Sequence, residues 1–368
     1  MPASKLRYGV IGVGAMGREH IENIKTIDGA EVTAISDPVS DSRNQAAALL
    51  RDNLQVFQDH TDLLNSGIVD AVVIATPNYT HVDILKDALA TDLAVFVEKP
   101  LCTTIEDAEQ VYNWSQSRKA ITWVGLEYRY MPPVAEAIRR VKEGVVGQIA
   151  QVSIREHREP FYPKVGNWNR FRSKTGGTLV EKCCHYFNLM DLITGENPTR
   201  VFASGSQRVN HLDEVYDGKK ADMLDSAYVI VEYPSGARGL LDLCMFAENS
   251  MDNEHLTVVG SEGKVESLLP SLTYREGRRG GNITTWGTKA VPGVINKRVW
   301  DYSIKYPGHH YGASYIEHVK FFNAVQSGSA PEITVEEGLR SVAVGLAAHK
   351  SIDEGRPVDM SEVLPSGW

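Results

Sequence analysis

The sequence predicts two domains, a doubly wound α/β domain followed by an α+β domain built on a mainly antiparallel sheet. Over residues 6–125, short apolar runs alternate with amphipathic helical segments, which is typical of a parallel sheet covered on both faces. Further along, strand-like runs follow one another through hairpin signals such as YPSGA and GSEGK, which favour antiparallel pairing. A chain of 368 residues, 42% of them hydrophobic, is long enough for two cores.

The predicted boundary between the domains divides the chain into residues 1–125 and 126–368. The first domain has five predicted strands, RYGVIGV, EVTAISD, VDAVVIATP, AVFVEKP and ITWVGLEY, with helices between them. The segment RYMPPVAEAIRRVKEG then predicts a linking helix that ends at Gly144.

The second domain has six predicted strands, IAQVSIREH, TRVFASGSQ, SAYVIVEYPSG, ARGLLDLCMF, EHLTVVGSEG and GKVESLL. Residues Leu272–Gly312 are rich in Gly, Arg, Tyr and Trp and lack periodicity, which predicts a long irregular segment near a site or an interface. Two amphipathic helices, YIEHVKFFNAVQSG and TVEEGLRSVAVGLAAHKSIDEG, are predicted to follow.

Charge and hydropathy narrow the classes of function. A net charge of -9 and a pI near 5.7 argue against a nucleic-acid groove or an anionic membrane surface. No apolar run approaches the roughly 18 residues that a spanning helix needs, and the start MPASKLRYGVIGVG predicts a strand instead of a signal peptide. We therefore expect a cytoplasmic protein that acts on a small molecule, with neither nucleic-acid nor membrane partners.

The four cysteines, Cys102, Cys183, Cys184 and Cys244, are too few for a disulfide framework, and free thiols are expected. Adjacent residues on a helix diverge by about 100°, so Cys183 and Cys184 cannot easily bind one metal ion. Packing is the preferred interpretation of this pair, and no metal site is predicted.

The stretch VIGVGAMG places three glycines in G-x-G-x-x-G spacing between a strand and a helix. Gly12 permits the tight turn, Gly14 lets the backbone approach a pyrophosphate, and Gly17 allows close packing of the helix. The helix N-terminus, at Ala15 and Met16, then faces the diphosphate. A tight turn without a nucleotide is the alternative.

Asp37 ends the next strand, near the roughly 20-residue spacing expected of an acid that bonds the ribose 2′-hydroxyl. A carboxylate there would repel a 2′-phosphate, which favours NAD over NADP. Arg43 is close enough in sequence to keep NADP open. The alternative for Asp37 is a turn-initiating role before Pro38.

A second turn, in VVIATPNYTHVDI, follows a strand through Thr76, Pro77 and Asn78. Because ligands bind at the carboxyl ends of parallel strands, these residues are expected to border the nicotinamide ribose. His81 lies in the helix that follows and is predicted with equal weight to contact the cofactor or to be a satisfied helix histidine.

The stretch VFVEKPLCTT places Glu98 and Lys99 at the end of another strand. A lysine that opens into the crevice indicates chemistry, because stability alone explains it poorly. A strand-end lysine paired with Glu98 is the alternative.

Six motifs occur in the order and approximate spacing of the glucose-fructose oxidoreductase, inositol dehydrogenase and rhizopine-catabolism (Gfo/Idh/MocA) family. They are GVGAMG, SD at 36–37, ATPNYTH, VEKP, RYMPP and GGTLVEKCCHYFNLMDLITG. The chain resembles this family over nearly its whole length, since its closing helices are also similar. The resemblance implies an NAD(P)-dependent oxidoreductase of a sugar, glycoside or cyclitol, with a Rossmann domain, an open-faced sheet and a dimeric or tetrameric assembly.

The resemblance also implies that Lys99, His185 and Glu181 carry the chemistry, although the family more often has Asp at position 181 and small residues at 182–184. On a continuous helix Glu181 and His185 would be neighbours, so the carboxylate would steady one tautomer and raise the basicity of the imidazole. We expect His185 to be the general base and Lys99 to stabilise developing alkoxide and orient the substrate. Glu181 would position His185 or bond an adjacent hydroxyl. A buried core histidine is the alternative for His185.

Further candidates for ligand contacts come from aromatic, guanidinium and imidazole groups, which suit sugar surfaces and hydroxyls. Trp168 and Arg170 resemble the family's Trp/Arg element near the cofactor. Asp191 lies off the face of His185, so a structural role is expected for it. Weaker candidates for substrate contacts, each with a fold or surface role as the alternative, are Tyr128, Arg129, Arg155, His157, His309 and His310.

These observations lead to three hypotheses about the function of the protein. The leading hypothesis is an NAD-dependent oxidation of a secondary ring hydroxyl of a sugar, glycoside or inositol to the ketone. The second is an enzyme that holds NAD(H) tightly and uses transient ring oxidation for glycoside cleavage or epimerisation. The third is a non-catalytic nucleotide or sugar sensor, against which Lys99 and His185 argue. A metal-dependent isomerase is an outside possibility.

Overall fold

The computed structural model describes residues 5–50, 53–279, 294–365 and 368. Its first layer is a six-stranded parallel sheet in the order β3-β2-β1-β4-β5-β6. The strands are β1 (Leu6–Ile11), β2 (Ala30–Ser36), β3 (Gln55–Phe57), β4 (Ala71–Ile74), β5 (Ala94–Glu98) and β6 (Thr122–Gly125). The strand order reverses between β1 and β4, and this switch point is where such sheets form a ligand crevice.

Helices connect these parallel strands and cover the sheet. They are α1 (Ala15–Lys25), α2 (Ser40–Ala47), α3 (His60–Leu64), α4 (His81–Leu89) and α5 (Ile105–Gln116). Every residue of β4 and of β5 is buried, as continuous apolar strands in the middle of a covered sheet must be. The short edge strand β3 was not predicted, because two of its three residues are exposed and it has no apolar pattern.

The linking helix α6 (Pro132–Lys142) starts with two prolines in its first turn, where a missing N–H costs nothing. It leads into a nine-stranded sheet in the order β16-β15-β14-β13-β7-β12-β11-β8-β17. These strands are β7 (Ile149–His157), β8 (Arg200–Ser206), β11 (Ser226–Glu232), β12 (Arg238–Cys244), β13 (Glu254–Gly260), β14 (Gly263–Leu269), β15 (Thr273–Arg278), β16 (Ile295–Arg298) and β17 (Val358–Asp359).

All neighbouring strands in this second sheet are antiparallel except β7 and β12, which are parallel. Buried and exposed residues alternate along β8, β11 and β12, so one face packs on the core and the other is open. A small separate hairpin consists of β9 (Val215–Tyr216) and β10 (Lys219–Lys220). The predicted fold class, a doubly wound parallel sheet followed by a mainly antiparallel open-faced sheet, is confirmed.

The remaining helices lie between the two sheets and join their cores. They are α7 (Arg172–Thr175), α8 (Thr178–Glu181), α9 (Cys184–Thr194), α10 (Ala313–Ser327) and α11 (Val335–Glu354). Helix α11 packs against α5 and β6 of the first layer as well as against α8, α9 and β8. Short 3₁₀ turns occupy Asn78–Thr80, Glu127–Tyr130, Val165–Arg170 and Met360–Glu362. Among the described residues, no helix combines the length and the apolar character needed to cross a bilayer.

The prediction of an irregular segment over Leu272–Gly312 is wrong in part. Strands β15 and β16 pair with each other and extend the second sheet at its edge. All four residues of β16 are exposed, so the alternation that signals a strand is missing there. Residues 280–293 of this segment lie outside the described part of the chain.

Candidate active site

The glycine-rich turn sits between β1 and α1 at the switch point. Gly12 has φ 82°, and a Cβ on it would lie 2.8 Å from the carbonyl oxygen of Ala75. A Cβ on Gly17 would lie 2.0 Å from the carbonyl oxygen of Gly12, so the helix packs directly on the turn. A Cβ on Gly14, in contrast, would have no protein atom within 4 Å. Gly12 therefore allows the turn, Gly17 allows the helix to pack on it, and Gly14 leaves a space that is open to a ligand.

The first turn of α1 fits a diphosphate in that open space. Its first N–H groups have no partner within the helix, and it contains no acidic side chain. Ala15 and Met16 open the helix, as predicted, so their backbone N–H groups are the donors nearest to the space.

Asp37 follows β2 and lies beside the same turn. Its carboxylate accepts hydrogen bonds from the N–H of Val13 at 2.9 Å and from the N–H of Val39 at 2.8 Å. Each carboxylate oxygen has a further lone pair, so a ribose hydroxyl can still be bound. Arg43 donates to the backbone carbonyl of Asp37 at 2.5 Å. The turn, the helix start and this acid together fit NAD.

The turn after β4 is held in place by His81. This side chain is fully buried, and its two ring nitrogens lie 2.9 Å from the carbonyl oxygen of Pro100 and 3.1 Å from that of Thr76. Burial lowers the pKa of His81, so the imidazole is neutral and donates one of these bonds. Of the two roles expected for His81, these contacts favour the satisfied helix histidine over the cofactor contact, because the ring joins the Thr76–Pro77 turn to the loop after β5.

Lys99 projects from the end of β5 towards α8, where its Nζ donates to the carbonyl oxygen of Glu181 at 3.0 Å. Burial lowers the pKa of Lys99, but the nearby Glu181, Cys184 and Glu98 groups raise it more, so the net shift is upward. The lysine is therefore an ammonium ion at neutral pH. Its Nζ is not the partner of Glu98, which was the alternative interpretation.

Both carboxylate oxygens of Glu98 are bound by groups of the protein. Its Oε1 lies 2.9 Å from Nε2 of His20, and its Oε2 accepts the backbone N–H of Lys99 at 3.1 Å. Its carboxylate is buried. By its position at the strand end Glu98 is also a candidate cofactor contact, but these bonds favour a structural role, in which the side chain fixes the backbone from which Lys99 projects.

The expected continuous helix through the 180s is interrupted. Helix α8 ends at Glu181 and α9 begins at Cys184, with a turn between them. The carboxylate of Glu181 accepts a hydrogen bond from the side-chain amide of Asn78, and no contact between it and His185 occurs within the described structure. The predicted Glu181–His185 pair is wrong, because four-residue spacing places side chains together only on an unbroken helix.

His185 is buried, and its ring stacks on that of Tyr128 with centroids 3.8 Å apart and planes inclined by 3°. Its Nδ1 lies 3.8 Å from Oε2 of Glu127. Burial lowers the pKa of His185 well below its usual value, and the charges of Lys99 and Lys182 lower it further. The expected rise in basicity is wrong, but the neutral imidazole that results is the form that accepts a proton.

A buried ion pair supports the stacked rings from below. Nζ of Lys182 lies 3.0 Å from Oε1 of Glu156 and donates to the hydroxyl of Tyr128. Arg158 lies 3.5 Å from the same Glu156 carboxylate. The Lys182 charge is thus balanced within the protein, and Tyr128 is fixed where it can hold the ring of His185.

Both adjacent cysteines are buried, and no disulfide is formed. Burial raises the pKa of Cys184 to about 12 and that of Cys183 well above its usual value. Both are therefore thiols, and packing accounts for them. Among the described residues there is no cluster of three or more His, Cys, Asp or Glu side chains arranged to hold a metal ion.

Two predicted substrate contacts, Arg155 and His157, lie on the open face of the second sheet, away from Lys182. Glu156 of β7 points inward to Lys182, so Arg155 and His157, which alternate with it, point to the open face. There His157 lies 3.1 Å from Asp242, while Arg155 donates weakly to a backbone carbonyl at 3.5 Å. The surface role that was the alternative for both residues is therefore favoured, because successive residues of a strand point to opposite faces.

The fold role that was the alternative for Arg129 is favoured over a substrate contact. The guanidinium is buried and donates to Asn188 at 2.6 Å and to Glu337 at 2.7 Å, which joins the turn after β6 to α9 and α11. Asp191 has the expected structural role, because it accepts a hydrogen bond from the hydroxyl of Tyr233 at 2.8 Å.

The Trp/Arg element is divided between an anchored and an accessible side chain. Arg170 is buried and donates to Glu214 at 2.8 Å, whereas Trp168 is partly exposed. Tyr128 and His310 do lie beside His185, and Nδ1 of His310 is 3.2 Å from Oε1 of Glu127. His309 instead contacts α1, where its Nε2 lies 3.2 Å from the carboxylate of Glu19.

Comparison with known protein families decides the assignment. Residues 6–126 match the Gfo/Idh/MocA description "Oxidoreductase family, NAD-binding Rossmann fold", and residues 138–360 match "Oxidoreductase family, C-terminal alpha/beta domain". The chain belongs to the Gfo/Idh/MocA oxidoreductase family. The predicted family, the NAD-dependent oxidoreductase class and NAD as the cofactor are therefore confirmed.

Some of the proteins to which this chain is similar are named dehydrogenases. A myo-inositol 2-dehydrogenase of Thermotoga maritima is 28% identical over 98% of this chain and 100% of its own length. An inositol 2-dehydrogenase of Arthrobacter sp. is 32% identical over 76% of this chain and 79% of its own. The solved structure of a levoglucosan dehydrogenase with NADH has a TM-score of 0.84 at 20% identity, covering 97% of this chain and 99% of its own, and thus shares the fold.

Sequence reasoning missed three charged groups in this oxidoreductase, Glu127, Lys182 and Glu156. Lys182 carries a weak signal, because a charged residue stands there between buried apolar neighbours, and Glu127 stands at the end of an apolar strand. Nothing in the local pattern of Glu156 distinguishes it from a solvated strand residue.

Proposed function

We propose that this oxidoreductase oxidises a secondary ring hydroxyl of an inositol, sugar or glycoside to the ketone. The observation that carries the proposal is a neutral, buried imidazole at His185 near the permanently charged ammonium of Lys99, at the carboxyl edge of the parallel sheet. The names of the inositol dehydrogenase relatives support a cyclitol as the first substrate to try.

In this proposal His185 accepts the proton of the carbinol O–H through Nε2, since its Nδ1 faces Glu127. The Lys99 ammonium donates a hydrogen bond to the same oxygen and stabilises the alkoxide character that develops. NAD, when bound, supplies the acceptor for the hydride. Glu181 orients the Lys99 ammonium through its backbone carbonyl and fastens the Asn78 turn through its side chain.

The proposal extends to the cofactor side of the site. Gly12, Gly14, Gly17 and the start of α1 would hold the diphosphate, and Asp37 would hold the adenine ribose. Thr76, Pro77 and Asn78 would border the nicotinamide ribose, with Trp168 at its outer edge. Tyr128 would support the base by stacking.

Removal of the base provides the test. We expect His185→Ala to lower kcat by about 10²- to 10⁴-fold, the range that general-base groups supply, with NAD affinity changed less than about twofold. Lys99→Met should also lower kcat, and His157→Ala is the matched control because that histidine faces the other side of the sheet. Turnover of cyclitols and sugars is followed through NADH formation, and NAD binding by calorimetry. A His185→Ala protein with ordinary kcat would refute the mechanism, and turnover without accumulated NADH would favour transient ring oxidation.

We also propose that the protein is a homo-oligomer, assembled through the open face of the second sheet. Phe202, Ile230 and Leu240 lie side by side on β8, β11 and β12 and are 42%, 39% and 38% exposed. Tyr228 continues the patch at 62% exposure, and contiguous apolar surface of this kind favours burial against another chain. Ile230→Asp should lower the mass measured by analytical ultracentrifugation to that of a monomer. An unchanged mass distribution would contradict this interface.

Two further expectations stay proposals. We place the domain boundary at residues 125–126, since β6 ends at Gly125 and the two family matches meet near it. We place the protein in the cytoplasm, because its four thiols are unpaired. Limited proteolysis tests the first, and fractionation of the cells that produce the protein tests the second.

A further inference from the structure

The proposed base is almost completely enclosed by protein. His185 is 1% exposed, so the proton that it takes from a substrate cannot pass directly to bulk water. Its Nδ1 is buried and has no hydrogen-bond partner among the described residues. In the proposed function the substrate occupies the Nε2 side of the ring, so a route from Nδ1 would let the proton reach the surface while the substrate is still bound.

The carboxyl group of Glu127 lies between His185 and the surface. Its Oε2, also buried and without a hydrogen-bond partner in the described structure, is 3.8 Å from Nδ1 of His185. Its Oε1 is 3.2 Å from Nδ1 of His310, whose side chain is 23% exposed. The three groups come from the turn after β6, from α9 and from the loop before α10, and Glu127 connects the enclosed imidazole to the partly exposed one.

We propose that Glu127 is a positioning residue that conducts the substrate's proton from His185 to His310 and so to water. This inference rests on the proposed function, since it needs a reaction in which His185 gains a proton. It goes beyond that function by assigning the exit path.

One proton enters this route at His185, and one leaves it at His310. His185, protonated on Nε2 by the substrate, gives its Nδ1 proton to Oε2 of Glu127 while Glu127 gives the proton on Oε1 to Nδ1 of His310. Glu127 stays a neutral acid, and His310 releases a proton from Nε2 to water. His185 is then protonated on Nε2 and His310 on Nδ1, so both rings must exchange tautomers through water, and the carboxyl must rotate, before the next turnover. Neither contact is a formed hydrogen bond, because Nδ1 of His185 is 3.8 Å from the carboxyl and Nδ1 of His310, although 3.2 Å from Oε1, has no hydrogen-bond partner among the described residues. Each transfer therefore needs the side chains to reorient or to share one water.

The charges around Glu127 suit this role. Burial, and then the Glu98 carboxylate, raise the pKa of Glu127 to about 8, against opposing effects of Lys99 and Lys182, so it carries a proton at neutral pH. The pKa of His310 is lowered to about 3, mainly by burial, and that of His185 is also strongly lowered. The pKa of both imidazoles is thus lowered, so neither ring holds the proton at neutral pH. The titratable groups that face Glu127 from neighbouring elements are Glu98, Lys99, Lys182, His185, His310 and Glu317.

The test replaces the carboxyl with an amide of the same shape. Glu127→Gln should lower kcat by about 10- to 100-fold, a part of what proton-transfer groups supply, while KM and NAD affinity change little. Added imidazole should restore part of the rate, because a small base can replace the missing carrier. His310→Gln interrupts the same route from the solvent end and should behave alike, so the inference is testable even if one variant fails to fold.

Asp191→Asn is the matched control. It makes the same chemical change on the helix of His185, and burial raises the pKa of this carboxyl to about 7, but its side chain is bonded to Tyr233 and points away from the route. We expect ordinary kcat and no effect of imidazole for this variant. A Glu127→Gln protein with wild-type kcat, or a loss of rate that imidazole cannot restore in either relay variant, would overturn the proposal.

An infrared measurement on the protein without substrate separates this inference from the proposed function. At neutral pH the carbonyl stretch of a protonated carboxylic acid should be present in the wild type and weaker in Glu127→Gln. An undiminished band overturns the role of Glu127 whatever the substrate is. If the band is weakened as expected and no cyclitol or sugar is oxidised by the wild type, the proposed substrate class fails instead.

Discussion

Replacing Gly14 by alanine should weaken NAD binding without unfolding the protein, whereas replacing Gly17 should destabilise the protein itself. Gly14 has φ -63°, within the range of alanine, and ψ -158°, about 20° beyond the extended region, so alanine needs only a small backbone adjustment. Its added Cβ would meet no protein atom within 4 Å. The cost to folding is therefore at most that of alanine at a helix N-cap, up to about 1 kcal/mol. The methyl group would instead occupy the space where a diphosphate approaches the backbone, and we expect the Kd for NAD to rise at least about tenfold, or 1.4 kcal/mol.

Gly17 gives the opposite result from a substitution of the same size. Its Cβ would lie 2.0 Å from the carbonyl oxygen of Gly12, a contact that only a backbone shift can relieve. Overpacking of this kind costs roughly 1–3 kcal/mol, or more where backbone is involved. At about 2–4 °C per kcal/mol, Gly17→Ala should lower Tm by several degrees in the absence of NAD.

Thermal unfolding with and without NAD, combined with calorimetric titration, distinguishes the two effects. Gly14→Ala should keep a near wild-type Tm alone and lose most of the increase that saturating NAD gives to the wild type. Wild-type affinity in Gly14→Ala would mean that the open space beside this residue is not where the diphosphate lies. A wild-type Tm for Gly17→Ala would refute the packing argument.

Two further predictions concern stability. Arg129→Met should lower the free energy of unfolding by about 3 kcal/mol, because it leaves the buried partners of Arg129 without their donor. A urea titration measures this loss. Unchanged stability together with a raised KM would instead make Arg129 a substrate contact. For His349, burial first and then Arg172 lower the pKa to about 3, whereas the unfolded side chain binds a proton below about 6.5. Native stability from this group is therefore lost as pH falls from about 6.5 towards 3, amounting to about 2 kcal/mol by pH 5. His349→Gln should lose this dependence, so a wild-type slope of unfolding free energy against pH in that variant would refute it.

Patterns that are local in sequence predicted much of this protein. The three glycines, the acid after β2 and the lysine after β5 each depend on one strand–turn–helix unit, whose geometry follows from nearby residues. The hairpin signals YPSGA and GSEGK likewise predicted the antiparallel pairs β11–β12 and β13–β14, whereas the open face of the sheet was implied by the family resemblance. Strand β16 was missed because exposed residues at a sheet edge have no alternation of apolar and polar residues.

The partners of the charged groups were decided only by the tertiary structure. Glu181 and His185 are four residues apart, yet the break between α8 and α9 gives Glu181 to Asn78 and places His185 next to Glu127. Likewise Arg129 matches a substrate contact by residue type, but the fold uses it to join helices.

The sequence by itself determined which backbone units exist and which residue types stand at their ends, because propensity, turn chemistry and periodicity act over a few residues. Only the tertiary structure decided which side chain faces which, because burial and electrostatic pairing depend on segments far apart in the chain. The line from His185 through Glu127 to His310 joins three such segments, so no local pattern could have predicted it.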